Sequence, residues 1–188
     1  FLKEDYQCAL ESSIAWIEVM PFARTPINFA ADIAYTYQNN YDDAIKILQI
    51  GLKANPKELS FMNNLAYAYA LNGQTKEADD ILAKLQPLVS KKTDLHICAT
   101  ATNGLNEYRK GNIETGRVLY AEAVNCAKQI GALNLVHKAL LNNIREEIRA
   151  NSQYDTELLQ LLDKLHTGND RETEAMKNEI KRMLYRTQ

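Results

Sequence analysis

Apolar side chains recur along this chain at intervals of three and four. Ile45, Leu48 and Leu52 do so, as do Ala78, Leu82 and Leu85, then Leu158, Leu161, Leu162 and Leu165. That spacing lines one face of an α-helix, and alternating β-branched runs are missing. Interruptions fall at Pro21 and Pro26, Asn39-Asn40, Asn55-Pro56, Asn72-Gly73, Lys110-Gly111, Gly131, Asn151-Ser152 and Gly168-Asn169. A proline ring disfavours helical backbone at the residue before it, and Gly or Asn accepts the left-handed conformation that ends a helix. The segments between these breaks are about 12 to 20 residues long, within the usual range for globular helices. The pattern predicts an all-α protein.

The segments also resemble one another. Tyr35 and Tyr69 stand 34 positions apart, and so do Ala44 and Ala78, Ile47 and Ile81, Leu48 and Leu82, and Asn39 and Gly73. Tyr6, Ala9 and Pro21 precede Tyr41, Ala44 and Pro56 by 35. Gly73 maps forward to Gly111 at 38, with Gln86-Pro87 and Ser90-Lys91-Lys92 absorbing the extra turn. Gly104, Gly116, Tyr120 and Ala123 continue the series. Gly within a helix costs about 0.8–1 kcal/mol relative to Ala, so Gly104 and Gly116 predict sites where two backbones approach closely.

On these residues the chain resembles the tetratricopeptide repeat family, whose helix-turn-helix unit is about 34 residues long. Asn64-Leu65-Ala66-Tyr67-Ala68-Tyr69 followed by Gly73, Ala78, Leu82 and Leu85 matches the family's signature over both helices. Ala44, Leu48, Gly51 and Pro56 repeat the second half, and Gly104, Gly111, Tyr120 and Ala123 give a third copy. Ala31-Asp32 and Gly116 depart from the family pattern. The likeness covers about residues 5–130. It implies a right-handed superhelical solenoid of antiparallel helix pairs, because a single pair cannot bury its apolar face alone. The expected divisions are 1–22, the second helix of a truncated upstream repeat; 25–58, 59–92 and 94–131, three repeats; 133–167, a degenerate pair; and 170–188, a capping helix. A chain that starts at Phe1 in mid-repeat reads as part of something longer.

Composition narrows the function classes. Lys and Arg total 22 against 24 Asp and Glu, a net charge of −2, which lacks the clustered positive charge that nucleic-acid backbones require. Mean hydropathy is −0.39, and no apolar run approaches the roughly 20 residues of a membrane span. Cys8, Cys98 and Cys126 are too widely spaced for a zinc knuckle, and their odd number suits a reducing compartment. A cytoplasmic location is the simplest reading. His96, His137 and His166 stand apart from any ligand set. The carboxylate pairs Asp42-Asp43, Asp79-Asp80 and Glu146-Glu147 diverge by about 100° on a helix, so neither member helps the other hold an ion. The first two pairs are expected near helix starts, where they complement the dipole. No phosphate loop or nucleophile elbow is present. The expectation is a non-enzyme without cofactor or metal.

The repeat register points instead to a groove. The first helices would direct Phe29, Ile33, Thr36 and Tyr37, then Asn63, Tyr67 and Leu71, then Ala101, Leu105, Tyr108 and Arg109 along a concave wall. In the family that wall commonly binds a peptide or a helix. Phe29, Ile33, Tyr37, Asn63, Tyr67, Leu71, Leu105 and Tyr108 are the expected partner-binding residues. The alternative is that Met176–Leu184 of the last helix covers the same stripe. The carboxylate clamp of chaperone-tail binders is not matched: Phe29, Ile33, Cys98 and Thr102 occupy its places, and only Asn64 fits. The C-terminal helix, capped by Asp170, carries a narrow seam of Met176, Ile180, Met183 and Leu184 that suits capping or a homodimer contact. Trp16 is expected in the core or at an interface. The preferred function is a protein–protein interaction scaffold or adaptor. The alternative is a regulatory or substrate-recruiting array attached to an enzyme outside these residues.

Overall fold

A computed structural model of the chain describes residues 2–150, 160, 162–165 and 171–186. The turns expected at Asn151-Ser152 and Gly168-Asn169, His166, the Asp170 cap, and Leu158 and Leu161 lie outside them. All regular structure among the described residues is helical, so the protein is all-α. The elements are α1 (Leu2–Val19), α2 (Arg24–Asp32) continued by a π-helical turn (Ile33–Tyr37), α3 (Tyr41–Ala54), α4 (Leu59–Leu71) and α5 (Thr75–Leu85). They continue with a 3-10 turn (Gln86–Leu88), α6 (Asp94–Arg109), α7 (Ile113–Gln129), α8 (Leu133–Arg149) and α9 (Arg171–Arg186). None of these helices is long and apolar enough to cross a membrane. The chain divides into two compact units, Phe1–Val89 and Ser90–Gln188.

In the first unit each helix rests on the next in order, from α1 to α5. Ile27 of α2, Leu48 of α3, Phe61 of α4 and Leu85 of α5 are fully buried. Helix α4 has no exposed residue from Leu59 to Leu71. Apart from Ser60, Asn63 and Asn64 its residues are apolar, as suits a helix with neighbours on more than one side. Asn40 starts α3 by accepting the Asp43 backbone N–H at 3.2 Å, a cap whose loss typically costs about 1 kcal/mol. Asp42 and Asp43 then occupy the first turn. Asp79 and Asp80, expected at a helix start, instead sit in the middle of α5, whose first turn carries Glu77. The π turn closes with the Gln38 N–H donating to the Ile33 carbonyl at 3.2 Å. A wider turn rotates each following residue by less than an α-helix would. Tyr37 is thereby carried off the line set by Phe29 and Ile33.

In the second unit α6 packs on α7, α7 on α8, and α8 on both α6 and α9. Thr93 caps α6, its hydroxyl oxygen accepting the His96 N–H at 3.2 Å. Gly104 and Gly116 face each other where α6 crosses α7. A methyl group on Gly104 would meet the Gly116 carbonyl at 3.3 Å, and one on Gly116 would meet the Gly104 carbonyl at 3.1 Å. The absent side chains are what let the backbones approach so closely. The seam of α9 is spent within this unit. Met176 and Ile180 join Leu141, Ile144, Ile148, Leu162 and Leu165 in one buried cluster, with Met183 and Leu184 packed against it. Each such side chain contributes about 1.5–3 kcal/mol on burial. The partly exposed Lys138–Glu172 ion pair between α8 and α9 contributes about 0–1 kcal/mol. Apolar burial therefore docks α9.

Candidate functional site

The expected groove residues divide between the units, and their burial separates them further. Phe29 is 53% exposed, while Ile33, one turn later, is 1% exposed. The two differ by only about 40° around the helix, and the edge of the buried arc falls between them. Tyr37 and Tyr67 are half-buried. Asn63 and Leu71 are buried within the enclosed α4. In the second unit Leu105 is fully buried and Tyr108 is 7% exposed. Ile33, Asn63, Leu71, Leu105 and Tyr108 are thus buried in the packing, which corrects their expected place on an open wall. The physical reason is the enclosure of α4 and α6 by neighbours on more than one side.

Of the expected groove, what remains accessible in the first unit lies along α2 and α4. Asn64 Nδ2 donates to Asn28 Oδ1 at 3.1 Å and ties the two helices together. One turn on, Tyr67 meets Tyr35 edge to face with ring centroids 5.2 Å apart. The Tyr35 hydroxyl donates to the Asp32 carboxylate. Tyr37 turns the other way, stacking on Tyr6 of α1 with centroids at 4.0 Å, and Gln38 Nε2 donates to Gln7 Oε1 at 3.0 Å beside it. The surface along these helices therefore offers the protruding Phe29 ring, primary amides, a tyrosine face and the Asp32 carboxylate, with the Arg24–Glu58 ion pair at 2.8 Å joining the two helix starts. Such groups can bury apolar side chains and hydrogen-bond a backbone.

Two ionic clusters in the second unit escaped the sequence reading. Glu146 and Glu147 are both buried on α8. Being adjacent, they diverge, and each serves its own cluster. Glu146 Oε2 lies 2.9 Å from Arg109 Nε on α6, a distance of ion pairing although the Nε–H makes no hydrogen bond. Its Oε1 lies 3.1 Å from Arg145 Nε and 3.3 Å from an Arg149 terminal nitrogen. One carboxylate thus lies against three guanidinium groups. Burial holds the Arg109 pKa below its ordinary value; the Glu146 charge opposes that shift, and Arg149 and Arg145 add to it. Glu147 accepts bidentate bonds from Arg117 of α7, from Nε at 2.5 Å and a terminal nitrogen at 2.8 Å. It also accepts the Tyr108 hydroxyl proton, with Asn143 Oδ1 2.9 Å from the same phenol oxygen. Tyr108 is consequently pushed far up in pKa, by burial first and then by donating to the carboxylate. Arg117 is pushed up by its bonds to Glu147. The clusters clamp α8 to α6 and α7. In sequence they look like ordinary solvated charges, because the partners on α6 and α7 lie 30 to 39 positions away.

Burial pushes the Cys98 thiol above its ordinary value, with Lys138 opposing; a thiol so held is protonated at neutral pH and is a poor nucleophile. Among the described residues no group of three or more His, Cys, Asp or Glu side chains could hold a metal ion. Comparison with family models, with curated proteins and with solved structures finds no match for this chain.

Proposed function

We propose that this chain is a non-enzymatic interaction scaffold of the tetratricopeptide kind, and that it holds a partner polypeptide on the first unit along α2 and α4. The observation that carries this reading is Phe29. It stands half-exposed on a helix whose Ile27 and Ile33 are buried, with the Asn28–Asn64 amide pair and Tyr67 nearby on the same two helices. The 34-residue register and the order in which successive helices pack support the family reading. A phenylalanine that becomes covered on binding contributes about 1.5–3 kcal/mol, enough to act as an anchor among weaker contacts.

Phe29→Ser tests this. Recovered from the native cells, the variant is expected to lose a specific copurifying protein that the wild type retains. Its stability should stay within about 0.5 kcal/mol, as for surface substitutions generally. Val118→Ser, at an exposed position on α7, should retain the partner. Retention by Phe29→Ser, or equal loss by Val118→Ser, contradicts the assignment.

A further inference from the structure

Helix α1 carries two seams on opposite sides. Leu10, Ser13 and Ile17 are buried on the side that α2 covers, and they account for the helix's place in the first unit. Cys8, Ser12, Ala15 and Val19 follow at spacings of four, three and four, and all four are exposed. Trp16 beside them is 48% exposed and Val19 is 79% exposed, and Met20 and Phe22 extend the apolar surface past the helix end. Of the two places expected for Trp16, the core is therefore ruled out, and the interface is left. Soluble chains seldom expose so many large apolar residues together unless something docks there.

The occupant's shape and charge follow from the same residues. Alternating steps of three and four present a straight seam to another helix, and small side chains at its centre let that helix come close. The Ser12 hydroxyl is already spent on the Cys8 carbonyl at 2.8 Å, so the seam asks for apolar contact. Asp5, Glu11 and Glu18 are exposed around it, and no Lys or Arg occurs from residue 4 to 23. A second copy of the chain laid on this seam would bring two sets of carboxylates together with no base in either segment. We propose that the outer seam of α1 docks an amphipathic partner helix whose apolar stripe is flanked by Lys and Arg. This inference goes beyond the scaffold reading and names a different surface from that of Phe29.

Trp16 is the single tryptophan, so its emission reports the seam directly. The chain is titrated with a designed helical peptide carrying leucines at its a and d positions and lysines beside them. A second peptide has the same stripe flanked by glutamates. The lysine peptide should shift Trp16 emission to the blue and saturate, and the glutamate peptide should bind at least about tenfold more weakly. Ala15→Gln/Val19→Asn should weaken the lysine peptide about tenfold without moving the melting temperature. Glu11→Lys/Glu18→Lys should invert the preference, whereas Glu122→Lys on α7 should not. Phe29→Ser should leave peptide binding intact. If a protein copurifies through Phe29 while neither peptide binds, this inference alone falls. Equal binding of both peptides, or no inversion, also overturns it. So does Trp16 emission that is already blue before peptide is added: with a dimer in sedimentation the occupant is a second copy, and with a monomer the seam is covered from within the protein.

Discussion

Glu146→Ala is expected to lower the stability of the second unit by about 3–5 kcal/mol, the range measured when one partner of a buried ion pair is removed. The carboxylate is 2% exposed and answers three guanidinium groups, of which Arg145 is itself buried. Arg109 and Arg149 are partly exposed and can turn their heads to water. Arg145 has less freedom and carries most of the loss. Domains are stable by about 5–15 kcal/mol, so a loss of this size should be plain in urea denaturation followed by circular dichroism. Arg145→Met/Glu146→Leu should recover part of it, because removing both charges leaves less buried charge unanswered. A loss below about 1 kcal/mol for Glu146→Ala would place the cluster energetically with surface pairs.

Gly116→Ala is expected to destabilise while Gly104→Ala is nearly neutral, although both are glycine-to-alanine changes in the same helix crossing. Alanine gains about 0.8–1 kcal/mol of helix propensity at either site. At Gly104 the added carbon meets Tyr120 Cδ2 at 3.2 Å and Leu119 Cβ at 3.3 Å, and shifts of a few tenths of an ångström relieve it. At Gly116 it would stand 2.4 Å from Tyr108 Cδ2 and 2.7 Å from Tyr108 Cε2. That ring cannot swing aside freely, because its hydroxyl is held by Glu147, which Arg117 holds in turn. Overpacking costs about 1–3 kcal/mol, so Gly116→Ala should melt below the wild type. Gly104→Leu and Gly116→Leu should both unfold or severely destabilise the unit. Equal melting temperatures for the two alanine variants would remove the locked Tyr108 ring from the account.

The helices were legible because periodic apolar residues and turn residues are local signals. The cost of glycine inside a helix located the close crossing at Gly104 and Gly116 for the same reason. Which residues face outwards was less legible. A repeat register assigns one stripe to each first helix, but α4 has neighbours on more than one side and Leu71 is core. Phe29 and Ile33 sit only about 40° apart across the edge of the buried arc, too fine a distinction for spacing to resolve. The π turn at Ile33–Tyr37 has no simple sequence sign, and it moves Tyr37 towards Tyr6. The buried charges of α8 were missed because burial of Glu146 and Glu147 depends on α6 and α7, not on their own neighbours. The apolar surroundings of Trp16 left core and interface open, because they form two seams, and α2 covers one.

Phe29 is proposed to mark a surface on which a partner lies. Site-specific photo-crosslinking tests it most directly. A benzophenone side chain is placed at position 29, and separately at the exposed position 118, and each variant is illuminated in the native cells. A discrete crosslinked protein is expected from position 29 and absent from position 118. Crosslinks from position 29 that are no more than the diffuse background of position 118 would contradict it.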